Sequence, residues 1–193
     1  MKNTFLLVFI ASLSISCAQK QEEQKPSLLS DFWKQEIARL NKEKPMITKI
    51  STVNGKSDTI RTDSIDWEKE LQIFVKNDLY EKDLALYNID TAAAYDTLQV
   101  DDGEGKFIYK SIPTKKLIFT PKNVDQKIRN MTAYLVDKPY DRVEILIKDE
   151  EQLFGINKRM EYSRLLGYYA IEGSQNVKFL NGINYKVQVK FKE

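Results

Sequence analysis

The chain has 193 residues, 42% of them hydrophobic and 30% charged, with a formal net charge of +2. The two signs of charge are mixed along it without a basic block, so neither nucleic acid nor an anionic membrane surface is implied as a partner. Histidine is absent and Cys17 is the one cysteine, which excludes imidazole triads, two-histidine metal sites and cysteine-rich zinc sites and leaves carboxylates, Lys, Tyr, Ser and Thr for any chemistry.

The chain opens with Lys2, an apolar run over residues 5–13 interrupted only by Ser12, and the small residues Ser14 and Ser16 before Cys17. A charge, a short apolar core and small residues at a cut site make a secretory signal. The run is well short of the roughly 20 residues that span a bilayer. Leu13-Ser14-Ile15-Ser16-Cys17 resembles a bacterial lipobox, with Leu13 four residues before the cysteine. The resemblance implies that Cys17 becomes the acylated first residue of the mature chain. The plainer alternative is an ordinary signal peptide with a cysteine near its cut. A lone cysteine in an exported chain has no intramolecular partner, and acylation gives it a role. Two or more acyl chains hold a protein stably on a membrane, so the membrane is the first expected partner, reached through the acyl chains on Cys17.

Residues 18–26 carry Lys, Gln, Glu and Pro and no bulky apolar side chain, a composition with nothing to bury. Glu22-Glu23, following Lys20, resembles the acidic export signal of Bacteroidota lipoproteins. That resemblance implies an exported, outer-membrane lipoprotein, at either the periplasmic face or the cell surface. The organisation is therefore residues 1–16 as signal peptide, 17–26 as lipidated cysteine and flexible tether, and 27–193 as a single domain, long enough for a core of its own.

Residues 27–44 form the first helix candidate. Ser30 is placed as its N-cap with Asp31 in the first turn, Trp33, Ile37 and Leu40 share one face, and Pro45 ends it. Residues 46–63 read as a β-hairpin around Asn54-Gly55, a pair suited to the two positive-φ positions of a type I′ turn. Pairing across that turn sets Ile50 opposite Thr59 and Lys49 opposite Ile60, and the weakly apolar faces place the hairpin near a sheet edge. The second helix is expected over about residues 64–79, capped by Asp63 or Ser64, with Asp66 facing the helix dipole and Trp67, Leu71, Phe74 and Val75 as its apolar stripe. Residues 80–87 extend it or form a short third helix.

From Tyr95 the pattern turns to six or seven short antiparallel strands: 107–112 and 116–120 split by Pro113, then 127–137, 142–148, 153–164 and 168–179. The clearest is last. Ile183, Tyr185, Val187, Val189 and Phe191 alternate with polar residues, after an Asn181-Gly182 turn. The expected fold class is α+β: N-terminal helices packed on a curved antiparallel β-sheet, a meander or a half-barrel.

No residue stands out as catalytic, and no cofactor or metal is implied. Asp96, Asp101, Asp102 and Glu104 lack the spacing of an EF-hand loop and read as a solvated turn. The acid pairs Glu68/Glu70 and Glu150/Glu151 are available to a carboxylate-based hydrolase, but nothing singles them out from the other acidic residues. Asp followed by Ser or Thr and an apolar residue occurs at Thr59, Ser64, Thr91 and Thr97. This resembles the O-glycosylation acceptor of exported Bacteroidota proteins, although strand alternation and helix capping produce the same pattern. Tyr162, Tyr168, Tyr169 and Tyr185 are candidate binding aromatics wherever they face solvent. The stretch Ile65-Asp66-Trp67-Glu68-Lys69-Glu70-Leu71, between a hairpin and an all-β half, is similar to exported Bacteroidota lipoproteins and brings no activity with it. The functional expectation is a lipid-anchored, non-enzymatic envelope protein acting as a binding or accessory module on an unidentified envelope protein. The alternative is a carrier that holds an apolar ligand in a cavity between sheet and helices.

Overall fold

The computed structural model describes residues 27–101, 107–136 and 140–191. Cys17, the tether, Asp102 and Glu104 lie outside the described residues. Helix α1 (Ser30–Glu43) is followed by the hairpin β1 (Ile47–Val53) and β2 (Lys56–Thr62), then by α2 (Trp67–Lys76) and a 3₁₀ turn (Glu81–Leu86). Seven further strands complete the chain: β3 (Tyr87–Asp101), β4 (Phe107–Pro121), β5 (Ile128–Leu135), β6 (Tyr140–Glu150), β7 (Phe154–Ser163), β8 (Tyr168–Val177) and β9 (Ile183–Lys190).

All nine strands form one antiparallel sheet in the order β2-β1-β9-β8-β7-β6-β5-β4-β3. From β3 to β9 it is a simple meander. The last strand then docks on β1, so the hairpin that precedes α2 joins the far side of the sheet. Strands β2 and β3 remain as edges, and the sheet is not closed into a barrel. The class is α+β, with the two helices separated in sequence by the hairpin. Among the described residues no helix is long and apolar enough to cross a membrane.

Local signals explain several of these elements. Asn54 and Gly55 take φ of 48° and 81°, as a type I′ turn requires, and the register sets Lys49 opposite Ile60 and Ile50 opposite Thr59. Lys44 ends α1 in the left-handed region at φ 43°, its N–H bonded to the Leu40 carbonyl at 2.9 Å. Both expected helix caps differ. Ser30 lies inside α1, and no side chain caps Leu29, the N-cap. The Leu29 N–H instead donates to the buried carboxylate of Asp78, 2.8 Å away and 49 residues downstream. In α2 the cap is Asp66 rather than Asp63 or Ser64, and its carboxylate accepts from the Lys69 N–H at 3.2 Å.

The all-β half also begins earlier and runs longer than its pattern implied. Strand β3 starts at Tyr87, eight residues before Tyr95, because Ala92, Ala93 and Ala94 hide the alternation: small side chains carry no contrast between faces. Pro113 does not split β4. It sits opposite Tyr95 on β3, beyond Lys115–Phe119, the only part of β4 that reaches β5. There β4 has a free edge to which a missing N–H can face.

The helices cover one face of the sheet, and burial on that face falls row by row. Strand registers align Ala133, Val143, Tyr162, Tyr169, Val189 and Lys49 in one row beneath the helices. The next row holds Met131, Ile145, Met160, Ile171 and Val187, also largely buried. A third row, Ile147, Lys158, Gly173, Tyr185 and Val53, is only partly covered, and a fourth runs through Asp149, Ile156, Gln175 and Ile183. The core between helices and sheet is an aromatic cluster. Trp33 lies 5.3 Å from Phe74 and 5.3 Å from Tyr162, and Phe191 lies 5.7 Å from Trp67 and 5.9 Å from Tyr162, centroid to centroid. Such offset and edge-to-face pairs add about 0.5–1.5 kcal/mol each beyond the area they bury.

Candidate functional site

The centre of that aromatic layer holds a carboxylate. Glu36 on α1 is 0% exposed, on the same helix face as Phe32, Trp33 and Leu40. Burying a charge there is costly unless it is paired and fully hydrogen-bonded, and four donors meet it. The Tyr162 hydroxyl donates to Oε1. Arg39, one helical turn along α1, brings its Nε to 3.2 Å from Oε1 and 3.1 Å from Oε2, and its second terminal nitrogen also bonds Oε1. The Arg164 Nε reaches Oε2 at 3.3 Å from the turn between β7 and β8. The hydrogen bond to Glu36 holds the Arg39 guanidinium above its ordinary pKa. Burial, reinforced by the Glu36 charge, pushes the Tyr162 hydroxyl well up.

Arg39 and Arg164 also line an open cleft of about 570 Å³, whose other walls include Glu43, Tyr140, Asp141, Leu165 and Phe191. It lies at the end of the sheet where α1 passes over the start of β6, the β7–β8 turn and the end of β9. Asp141 is 8% exposed and accepts the Leu165 N–H at 2.7 Å, fixing the turn that presents Arg164. Burial raises the Asp141 pKa. Arg39 also pairs with Glu43 at the rim. The acids Glu36, Glu43 and Asp141 outnumber the two arginines, so the cleft does not favour a free anion. Arg164 pairs its Nε with Glu36 and is one of the residues that line the cleft. The arrangement suits a neutral oxygen acceptor, such as an amide carbonyl, beside an apolar group resting on Tyr140, Leu165 and Phe191.

A second charged network lies on the opposite face of the sheet. The Arg142 guanidinium sits 2.6 Å from Glu144, 2.7 Å from Glu161 and 3.4 Å from Asp96, and 4.9 Å over the Tyr134 ring. The Tyr134 hydroxyl donates to Glu144 at 2.9 Å, and the Tyr168 hydroxyl donates to Glu161. These partners and burial raise the hydroxyl pKa of both tyrosines, burial being the larger cause, with Tyr134 pushed up to about 12.

The candidate aromatics therefore separate. Tyr162 and Tyr169 are 0% and 1% exposed, so the condition that they face solvent fails: both are core residues that donate to carboxylates, Tyr162 to the buried Glu36 and Tyr169 to the half-buried Glu70. The alternation placed them on a strand face without showing that helices cover it. Tyr168 and Tyr185 are half-buried. Thr59, Ser64, Thr91 and Thr97 are all exposed. The acid pairs do not converge on a shared site in the cleft. Glu70 binds Lys49 at 2.6 Å, Glu68 is exposed, and Glu150 pairs with Lys148 at 2.8 Å in a shallow recess at the β6–β7 turn. Asp96 is committed to Arg142, and no cluster of three potential metal ligands occurs among the described residues. The layer expected to hold an apolar ligand is filled by Trp33, Trp67 and Phe74.

Arg164 had no signal in the sequence, and Glu36 only a faint one. Glu36 falls between Trp33 and Leu40 on the apolar face of α1, and only that misplaced charge hinted at a buried partner. No family model matches the chain, and neither a curated protein nor a solved structure matches it.

Proposed function

We propose that the protein is a lipid-anchored, non-enzymatic envelope module that binds a partner through the cleft beside Arg39 and Arg164. The carrying observation is Arg164, whose Nε lies 3.3 Å from the buried carboxylate of Glu36 while its side chain lines an open, partly apolar cleft. A side chain fixed this way loses little further entropy when it binds, which favours recognition. The charge balance of the cleft points to a neutral carbonyl of an extended polypeptide as the contacting group. Attachment through Cys17 supports the same reading, since it confines the domain to a surface where a modest affinity suffices.

The test has two arms. Cys17→Ser should move the protein from the membrane pellet to the soluble fraction; a mutant that still pellets after a high-salt wash removes the anchor. A photocrosslinking residue at Leu165, in the cleft, should give a discrete adduct in native cells that is absent when the residue is placed at Glu172. No adduct at Leu165, or equal adducts at both positions, removes the cleft as the binding site.

A further inference from the structure

Beyond the edge of the helices the same sheet face continues, only partly covered by the described residues. Its third row places Lys158 between Ile147 and Gly173, with Tyr185 next across. Ile147 is 6% exposed, and Lys158 and Tyr185 are half-buried. The Tyr185 ring lies across Gly173, close enough that a Cβ there would fall 2.9 Å from the hydroxyl oxygen, so that hydroxyl stands over the strand next to Lys158. Beyond them come Ile156, Ile183 at 45% exposure and then Phe154 and Val177, with Val53 at the flank at 51%.

Neither polar tip has a partner among the described residues. Burial alone lowers the Lys158 pKa, with no carboxylate offsetting it, and burial alone raises that of Tyr185. The carboxylate in the next row, Asp149, is taken by Lys127 at 2.6 Å. A partly desolvated ammonium without a counter-charge, set in an aliphatic surface, is most readily satisfied by an anion that brings apolar surface with it.

We propose that this face binds a single-chain amphiphile with an anionic head, a long-chain carboxylate. The Lys158 ammonium and the Tyr185 hydroxyl take the carboxylate, and the chain lies along Ile156, Ile183 and Phe154. The five residues from Lys158 to Phe154 span about 13 Å at the usual strand rise, a run long enough to seat a hydrocarbon chain. The site lies on the open sheet face, away from the Arg164 cleft, and does not rest on the cleft reading.

The Cys17→Ser chain with labelled methyl groups would be titrated with dodecanoate and with dodecan-1-ol below their solubility limits. Dodecanoate should shift the Ile156 and Ile183 methyl resonances and bind at least tenfold more tightly than the alcohol. Lys158→Met, which keeps an unbranched apolar stem, should abolish that tenfold difference, and Lys158→Arg should retain most of it. Equal binding of acid and alcohol, unchanged dodecanoate binding by Lys158→Met, shifts confined to Leu165 in the cleft, or no binding would each overturn the proposal. Because Leu165 reports the cleft separately, failure here leaves the cleft reading standing.

Discussion

Replacing Glu36 by Gln tests whether the buried carboxylate organises the helix layer. Oε1 accepts from Tyr162 and Arg39, and Oε2 accepts from Arg39 and forms an ion pair with Arg164 at 3.3 Å. Whichever way the new amide points, its NH₂ faces donors, and two guanidiniums lose their shared counter-charge. Breaking one side of a fully buried pair costs about 3–5 kcal/mol; here the guanidiniums left behind are 24% and 36% exposed and Arg39 keeps Glu43, so the loss should fall to about 1–3 kcal/mol. Tyr162→Phe removes one donor from a carboxylate that keeps both arginines, a loss of about 1–2 kcal/mol. In the double mutant the amide no longer opposes the hydroxyl, so the combined loss should fall short of the sum by about 1 kcal/mol or more. Urea unfolding of the Cys17→Ser chain, followed by tryptophan fluorescence, reads all three, since Trp33 packs 5.3 Å from Tyr162. A loss below about 1 kcal/mol for Glu36→Gln, or strict additivity in the double mutant, would refute the reasoning.

Asp78 provides a pH test. Burial pushes its carboxyl up to about 6, so the folded state favours the protonated form. That contribution is complete below the ordinary aspartate range near 3.8 and is lost as pH rises through about 6. Relative to Asp78→Asn, the wild-type protein should therefore be more stable at pH 4 than at pH 7 by about 1–3 kcal/mol; denaturation midpoints whose difference does not change between these pH values would contradict this. Gly173→Ala should destabilise by about 1–3 kcal/mol, because a Cβ would stand 2.4 Å from the Asn157 carbonyl oxygen in the β7 backbone. Gly182→Ala is crowded only by the side-chain oxygen of Asn176, which can move, and Gly155→Ala meets the Glu150 Cγ at an ordinary 4.0 Å, so thermal melts of the three should rank Gly173 worst. Asp66→Ala removes the α2 cap and should lower the denaturation midpoint; no change would show that the exposed Asp66 carboxylate is not holding the helix end.

Local chemistry was legible in the chain. Asn54-Gly55 determined a hairpin and its register, because two adjacent positive-φ positions admit few other turns. The alternation from Ile183 to Phe191 determined the last strand, and the Trp67, Leu71 and Phe74 spacing determined the buried face of α2. These are properties of a few neighbouring residues, and they survive folding. Tertiary structure decided the rest. It docked β9 on β1, chose a carboxylate 49 residues away to hold the start of α1, and buried Tyr162 and Tyr169 beneath helices that a strand pattern cannot see. It also brought Glu36 to Arg164 across 128 positions of chain. The place of Glu36 on the apolar face of α1 hints at burial, but nothing local names Arg164 as its partner, because pairing between distant charges depends on how the chain packs, and packing is a property of the whole fold.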